Sequence, residues 1–274
     1  MDKKEFLNIL MEHKKLGFQN QIDYNKFYLY SIVTHSTAIE GSTMTEIDNQ
    51  LLFDEGLTAK GKSIIEQNMN IDLKAAYERS MQLAKEHTPF SIGVLKHLSS
   101  LVMRRTGSII HVMAGSFDSS RGDLRLLNVT AGAGGKTYMN FMKVPQQLKD
   151  FCKEINEGRE KLLKNPDVYE QYKLSFYAHL KLVTIHPWVD GNGRMSRLIM
   201  NHLQYEFGLV PSKVVKDDKA EYIKALKISQ EEESEVPFLD FMFEEHAKNL
   251  QEEIENYKRS MGDEEVKPHR GFRR

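Results

Sequence analysis

Apolar residues recur at the spacing of an α-helix along most of this chain, and that period leaves little room for anything but a helical fold. Between residues 23 and 40, Leu29, Val33, Ser36 and Glu40 fall on one face, with Tyr28, Ile32, His35 and Ile39 on the next. Gly41 then stops the helix as a C′ residue. Thr43 and Glu46 have the spacing of a capping box and are expected to start another helix. After a loop at 56–61, a long helix is expected over 62–85, with Met69, Leu73, Ala76, Tyr77, Ser80, Met81 and Ala84 on one side. The next begins near Pro89 and carries Ile92, Leu95, Leu98 and Val102. Helical patterning resumes over 145–163 and 166–184, again after Asn192, and over 219–230 and 237–257. The fold class is therefore all-α.

One stretch breaks the pattern. Over 107–144, short β-prone runs (Ile109, Ile110, Val112, Val129) surround Gly132-Ala133-Gly134-Gly135, followed by Thr137, Tyr138 and Phe141. Such a segment is expected to be irregular and to hold one hairpin. No internal repeat or low-complexity linker appears, so a single helical domain is the simplest reading, with residues 1–60 packing as an appendage. The charged end, 262–274, with Arg270, Arg273 and Arg274, reads as a solvated, mobile tail.

Composition excludes several classes. Lys and Arg total 38 against 39 Asp and Glu, so global charge gives no reason to expect nucleic-acid binding. The lone cysteine, Cys152, rules out an intrachain disulfide or a cysteine-rich zinc site and reads as a buried apolar filler. The histidines lack paired metal-ligand spacing. The first residues lack the apolar core of a signal peptide, and no apolar run is long enough to span a bilayer, so a soluble cytoplasmic protein is expected.

The chemistry concentrates in His186-Pro187-Trp188-Val189-Asp190-Gly191-Asn192-Gly193-Arg194-Met195-Ser196-Arg197. Beyond it, Met195, Leu198, Ile199, His202 and Leu203 form an apolar stripe. Arg194, Arg197 and Asn201 are expected on the opposite, exposed face. The segment thus reads as a loop feeding a helix N-terminus, where unpaired N–H groups and partial positive charge favour an anion. Gly191 and Gly193 let backbone approach a phosphate closely, and the loop amides can form an anion nest. Arg194 and Arg197 can clamp further phosphate oxygens. Asp190 offers a carboxylate for Mg²⁺, which takes one or two carboxylates plus substrate phosphates. His186, at the loop entrance, can accept a hydroxyl proton. The set suits nucleotidyl or phosphoryl transfer.

The twelve residues resemble the signature of the Fic-domain family, His-Pro-Phe-x-Asp/Glu-Gly-Asn-Gly-Arg-x-x-Arg, with Trp188 in place of the usual Phe. The resemblance extends over about residues 88–243, with an N-terminal helical extension also matching. It implies a Fic-type helical bundle divided into an extension (1–60), a catalytic domain (61–261) and the tail. The implied activity is protein adenylylation: a hydroxyl of a target protein attacks the α-phosphate of ATP and pyrophosphate leaves. By position, His186 is then the general base, and Asp190 binds Mg²⁺ bridging the α- and β-phosphates. The amides of Gly191, Asn192 and Gly193, with the Asn192 side chain, form the anion hole. Arg194 holds the β-phosphate and Arg197 the γ-phosphate.

Three further features follow from the same resemblance. Ser36-Thr37-Ala38-Ile39-Glu40-Gly41 fits the family's inhibitory pattern, in which Glu40 pairs with Arg197 and competes with the γ-phosphate, with Ser36 alongside. The family's target-docking flap, a small β-hairpin, falls at 129–144, with Tyr138, Met139 and Phe141 as contacts. Tyr222 and Gln230 lie on the helix that lines the adenine pocket in relatives. The expected partners are ATP and a target protein with an accessible hydroxyl, with self-modification and homo-oligomers also expected. Alternatives stay open: transfer of UMP, phosphocholine or phosphate, removal of AMP from a modified target with Glu40 positioning water, or a non-catalytic nucleotide-binding regulator. Phosphoryl transfer in a related branch goes with a Lys where this chain has Gly193.

Overall fold

Side-chain caps set where several helices begin. This computed structural model describes residues 1–18, 24–131, 135 and 137–265. Asp23, the Gly132–Gly134 run and the tail beyond 265 lie outside the described residues. The helices are α1 (Lys3–Lys15), α2 (Tyr24–Ile39), α3 (Glu46–Glu55), α4 (Ile64–Lys85), α5 (Ile92–Val102), α6 (Val144–Lys164), α7 (Val168–Ile185), α8 (Asn192–Glu206), α9 (Lys219–Glu231) and α10 (Val236–Glu265). The only regular strands among the described residues are β1 (Ile109–Val112) and β2 (Gly115–Asp118), an antiparallel pair.

The capping box of α3 is not the one expected. Thr45 accepts from Asp48 N–H and donates its own N–H to Asp48, closing the box two residues further in than Thr43 and Glu46 would. Thr43 instead gives its N–H and hydroxyl to Glu66 Oε1, both at 2.7 Å. Glu66 also completes the box of α4 with Ser63. One carboxylate therefore fastens the chain after α2 to the start of α4.

The irregular segment holds its regular hairpin at its start. Its ladder pairs Ile109 with Asp118 and Val112 with Gly115. At the expected flap position the described residues show an antiparallel bridge, Thr130 to Thr137, with Tyr138 N–H on Val129 O. The β-branched run at 109–112 closes with a tight turn at its own end, so it does not reach across to residue 129.

The helix α1 has no counterpart among the sequence-predicted helices, although Phe6, Ile9, Leu10 and His13 mark its apolar stripe. It lies on α10, with Phe6 edge-on to Tyr172 and Phe243. One buried core takes in Phe6, Tyr77, Phe176, Trp188, Leu198 and Ile254. At its centre α7 and α8 run antiparallel, joined by the loop 186–191, with Gln204 of α8 bonded to Ser175 of α7. The helices α2 and α4 pack together and both touch α8. A buried relay fixes the end of α2: Thr37 donates to Asn70 Oδ1 at 2.7 Å, Asn49 donates to the same oxygen, and Asn70 donates to Ser42.

Candidate active site

The chain leaves α7 through His186, which adopts φ 52 and ψ 62. This left-handed cap turns the backbone out of the helix and points it at the start of α8. His186 Nδ1 lies 3.3 Å from Val183 O. A carbonyl only accepts, so Nδ1 carries the proton and Nε2 keeps its lone pair. Burial pushes the imidazole down to about 4, against a compensating bond to Val183. Tyr138 covers one face of the ring, with centroids 3.7 Å apart and planes 16° from parallel.

Trp188 anchors the loop. It is 1% exposed, its indole N–H donates to Gly122 O at 3.1 Å, and its backbone N–H donates to Asn192 Oδ1 at 3.0 Å. Asn192 Nδ2 returns a bond to Trp188 O at 2.8 Å. The Asn192 side chain thus commits its oxygen and its nitrogen to the Trp188 backbone, closing the turn 188–192 in place of the anion-hole role expected for it. Gly191 caps α8 at φ 80, where a Cβ would meet Met103 Sδ at 2.9 Å. Its amide is held by Asp190 Oδ1 at 2.6 Å. The first intrahelical bond runs from Met195 N–H to Gly191 O, so the amides of Asn192 and Gly193 belong to the unpaired first turn.

The two arginines are buried, 2% and 3% exposed, which overturns the exposed face expected for them. The helix α2, Tyr77 of α4 and Tyr222 of α9 roof that side of α8: Ser36 and Tyr222 bond Arg197, and Tyr77 bonds Asn201. Arg194 touches Asp190 Oδ1 and Met103 Sδ, both at 3.3 Å through Nη2. Its Nε and Nη1 have no partner. A buried guanidinium with two idle donors is costly, and it marks a place for acceptor oxygens.

Arg197 is fully engaged. Nε donates to Ser36 Oγ at 2.8 Å, and Nη2 donates to Ser36 O at 2.9 Å and to Glu40 Oε1 at 2.6 Å. Nη1 reaches Tyr222 OH at 3.3 Å. Burial acts to raise the Glu40 carboxyl, but the Arg197 charge and hydrogen bond outweigh it, so its pKa lies below the ordinary carboxylate value.

The expected adenine-side residues separate. Tyr222 is fully buried beneath Arg197, its hydroxyl 2.9 Å from His179 Nε2, so it does not open onto an adenine pocket. The inward face of α9 puts it there. Gln230, on the outer end of α9, lines an open cavity with Thr184, Tyr138, Met139, Thr137 and Ala131. In the flap region Tyr138 meets His186, Met139 gives its carbonyl to Arg125, and Phe141 N–H bonds Asn128. Arg125, Met103 and Gly122 support the site and were not singled out from sequence. Arg125 had a faint signal, a charge set between Leu124 and Leu126.

Asp190 is 66% exposed, with Oδ1 committed to Gly191 and Arg194, leaving a carboxylate oxygen for a hard cation. No cluster of three or more His, Cys, Asp or Glu able to hold a metal occurs among the described residues. No helix among the described residues is long and apolar enough to cross a membrane.

Comparison with known proteins agrees with this geometry. Residues 89–204 match the model of the Fic/DOC family. Protein adenylyltransferase fic-1 of Caenorhabditis elegans is 30% identical over 205 residues, covering 74% of this chain and 36% of its own length. Protein adenylyltransferase Fic of Nematostella vectensis is 28% identical over 214 residues, covering 77% and 45%. The chain thus spans less than half the length of these curated relatives. Among solved structures, a Fic-domain signalling protein from Bacteroides thetaiotaomicron superposes with a TM-score of 0.75 at 18% identity, covering 93% of this chain and 98% of that one. Fic-1 (aa134–508) of C. elegans gives 0.71 at 24% identity, over 94% and 73%. The helical architecture, the matched segment and the loop between α7 and α8 agree, and this chain is a member of the Fic/DOC family.

Proposed function

We propose that this chain transfers AMP from ATP to a side-chain hydroxyl of a protein, and that its own α2 holds the activity down. The observation that carries the reading is Arg194. Its buried, unpartnered donors sit beside the open first turn of α8 and a neutral imidazole. An anion satisfies that cation, and the neighbouring base suits an attacking hydroxyl.

In this reading His186 Nε2 takes the hydroxyl proton while Nδ1–H stays on Val183 O. The hydroxyl oxygen bonds to the α-phosphorus, the bond to the bridging oxygen breaks, and pyrophosphate leaves with the electron pair. The amides of Asn192 and Gly193 take the charge that grows on the α-phosphate oxygens. Arg194 holds the β-phosphate. Asp190 would hold Mg²⁺, which supplies charge neutralisation on the phosphates when bound. Gln230 and Thr184 line the cavity that would take the base.

Glu40 supports the inhibitory half. It stands where the γ-phosphate would meet Arg197, and it already neutralises that guanidinium at 2.6 Å. Residues 1–60 then act as the regulatory part of the chain and 61–261 as the catalytic part. The test is label transfer from ATP by the full chain carrying Glu40→Gly, with and without His186→Ala. Label expected in the first should vanish in the second while circular dichroism stays unchanged. Equal labelling would remove His186 from the chemistry.

A further inference from the structure

Arg125 lies between β2 and α6, in the irregular segment, and is 1% exposed. No carboxylate among the described residues pairs with it. Its guanidinium donates to three backbone carbonyls: Nε to His186 O at 2.8 Å, Nη1 to Leu127 O at 2.7 Å and Nη2 to Met139 O at 2.6 Å. Its own N–H donates to Pro187 O at 3.1 Å. Burying a cation without a counter-ion is expensive, and burial alone lowers this guanidinium's pKa. A lysine could not reach three carbonyls from one planar fork.

Where those carbonyls lie gives the arrangement its meaning. His186 carries the base. Met139 follows Tyr138, the ring stacked on that base at 3.7 Å. One guanidinium therefore ties together the two strands of chain that carry the stacked rings. We infer that Arg125 is a positioning residue: its fork joins the Met139 carbonyl to the His186 carbonyl and so holds Tyr138 against the imidazole. The ring plane is then fixed, one of its faces is closed to water, and residues 138–141 are set at a defined distance from the reacting edge. Arg125 also places a positive charge beside the imidazole, which adds to the effect of burial in keeping it unprotonated. The structural half stands on geometry alone, while the kinetic half rests on the AMP-transfer reading.

The test uses ¹H–¹³C NMR of the histidine ε1 positions in the full chain, with His186→Gln assigning the signal. Tyr138→Leu defines the unstacked chemical shift. Arg125→Gln should move the His186 signal to that position and raise its pKa above about 4. Arg125→Lys should also unstack the ring but raise the pKa less, because the charge remains while one face of the ring opens to water. In the Glu40→Gly background both variants should slow self-labelling roughly 10²-fold at saturating ATP, with KM for ATP unchanged. A wild-type chemical shift in either variant overturns the inference. An unstacked signal with full labelling overturns its catalytic half. If Glu40→Gly alone gives no label, the AMP-transfer reading fails, and the NMR comparison still decides what Arg125 holds. Should the Gln variant not fold, the Lys variant carries the test.

Discussion

Glu40 fills the space that a side chain on Gly193 would need. A Cβ built on Gly193 stands 2.5 Å from Glu40 Oε1 and 3.1 Å from Arg197 Nη1. The end of α2 and the start of α8 are thus fitted to each other at atomic contact, although Glu40 and Arg197 lie 157 residues apart in sequence. The relay through Thr37, Asn70, Asn49 and Ser42 holds the α2 side of that fit in place.

Glu40→Gly should therefore release the Arg197 guanidinium without dismantling its seat. Ser36 and Tyr222 continue to bond Arg197 after the change. Self-labelling from ATP should rise roughly 5- to 150-fold, the ordinary span of a coupling between two sites. The thermal shift produced by ATP with Mg²⁺ should grow in parallel. Equal labelling and equal shifts in both forms would mean that Glu40 does not compete with the triphosphate.

Gly193→Ala tests the same contact from the other side. The added methyl must displace the Glu40 carboxylate, a side-chain tip held by its pair with Arg197, and so break that pair. Urea denaturation should show a loss of stability in the otherwise wild-type chain and a smaller loss beside Glu40→Gly. A coupling of about 0.5–3 kcal/mol is expected for residues in contact. Additive losses would show that the two positions do not touch in solution.

The pH behaviour of His186 has a definite sign. Its pKa falls from the reference 6.5 to about 4 in the folded chain, so the folded state resists a proton that the unfolded state accepts. Its contribution to stability is therefore present above 6.5 and declines as pH falls from 6.5 towards 4. For the same reason the base stays unprotonated over that window, and the acid limb of activity assigned to His186 should lie below 6.5. An NMR titration that places the His186 ε1 midpoint at 6.5 or higher would contradict the burial argument.

Much of this was legible in local pattern, and the rest was not for physical reasons. A loop of His186, Asp190, Gly191 and Gly193 running into an apolar helix announces an amide-rich helix start, because those residues act through local backbone geometry. The burial of Arg194 and Arg197 was not legible. A stripe rule assigns polar residues to solvent, and only the arrival of α2, α4 and α9 roofs that face. Tyr222 failed likewise: its helix was anticipated, but which side faced Arg197 depended on packing. Arg125 bonds only to backbone carbonyls, which leave no trace in residue type at the partner positions. The segment 107–144 was legible as irregular with a hairpin, but the β-branched run at 109–112 closing on Gly115–Asp118 was not separated in advance from the bridge between Thr130 and Thr137.

Trp188 offers the last test, since the resemblance would place Phe there. The indole N–H bonds Gly122 O, and Gly122 itself admits no side chain: at φ 73, a Cβ would stand 2.0 Å from Lys96 O. The carbonyl therefore cannot swing to a new partner when the indole is removed. Trp188→Phe should leave that acceptor unsatisfied and open a void beside α5. The two terms together predict a loss on the order of 1–3 kcal/mol in urea denaturation. The backbone bonds between residue 188 and Asn192 do not depend on the indole, so the loop should keep its course. Labelling by the Glu40→Gly form should accordingly fall far less than stability does. A collapse of labelling with stability intact would show instead that the indole itself takes part in holding the substrate.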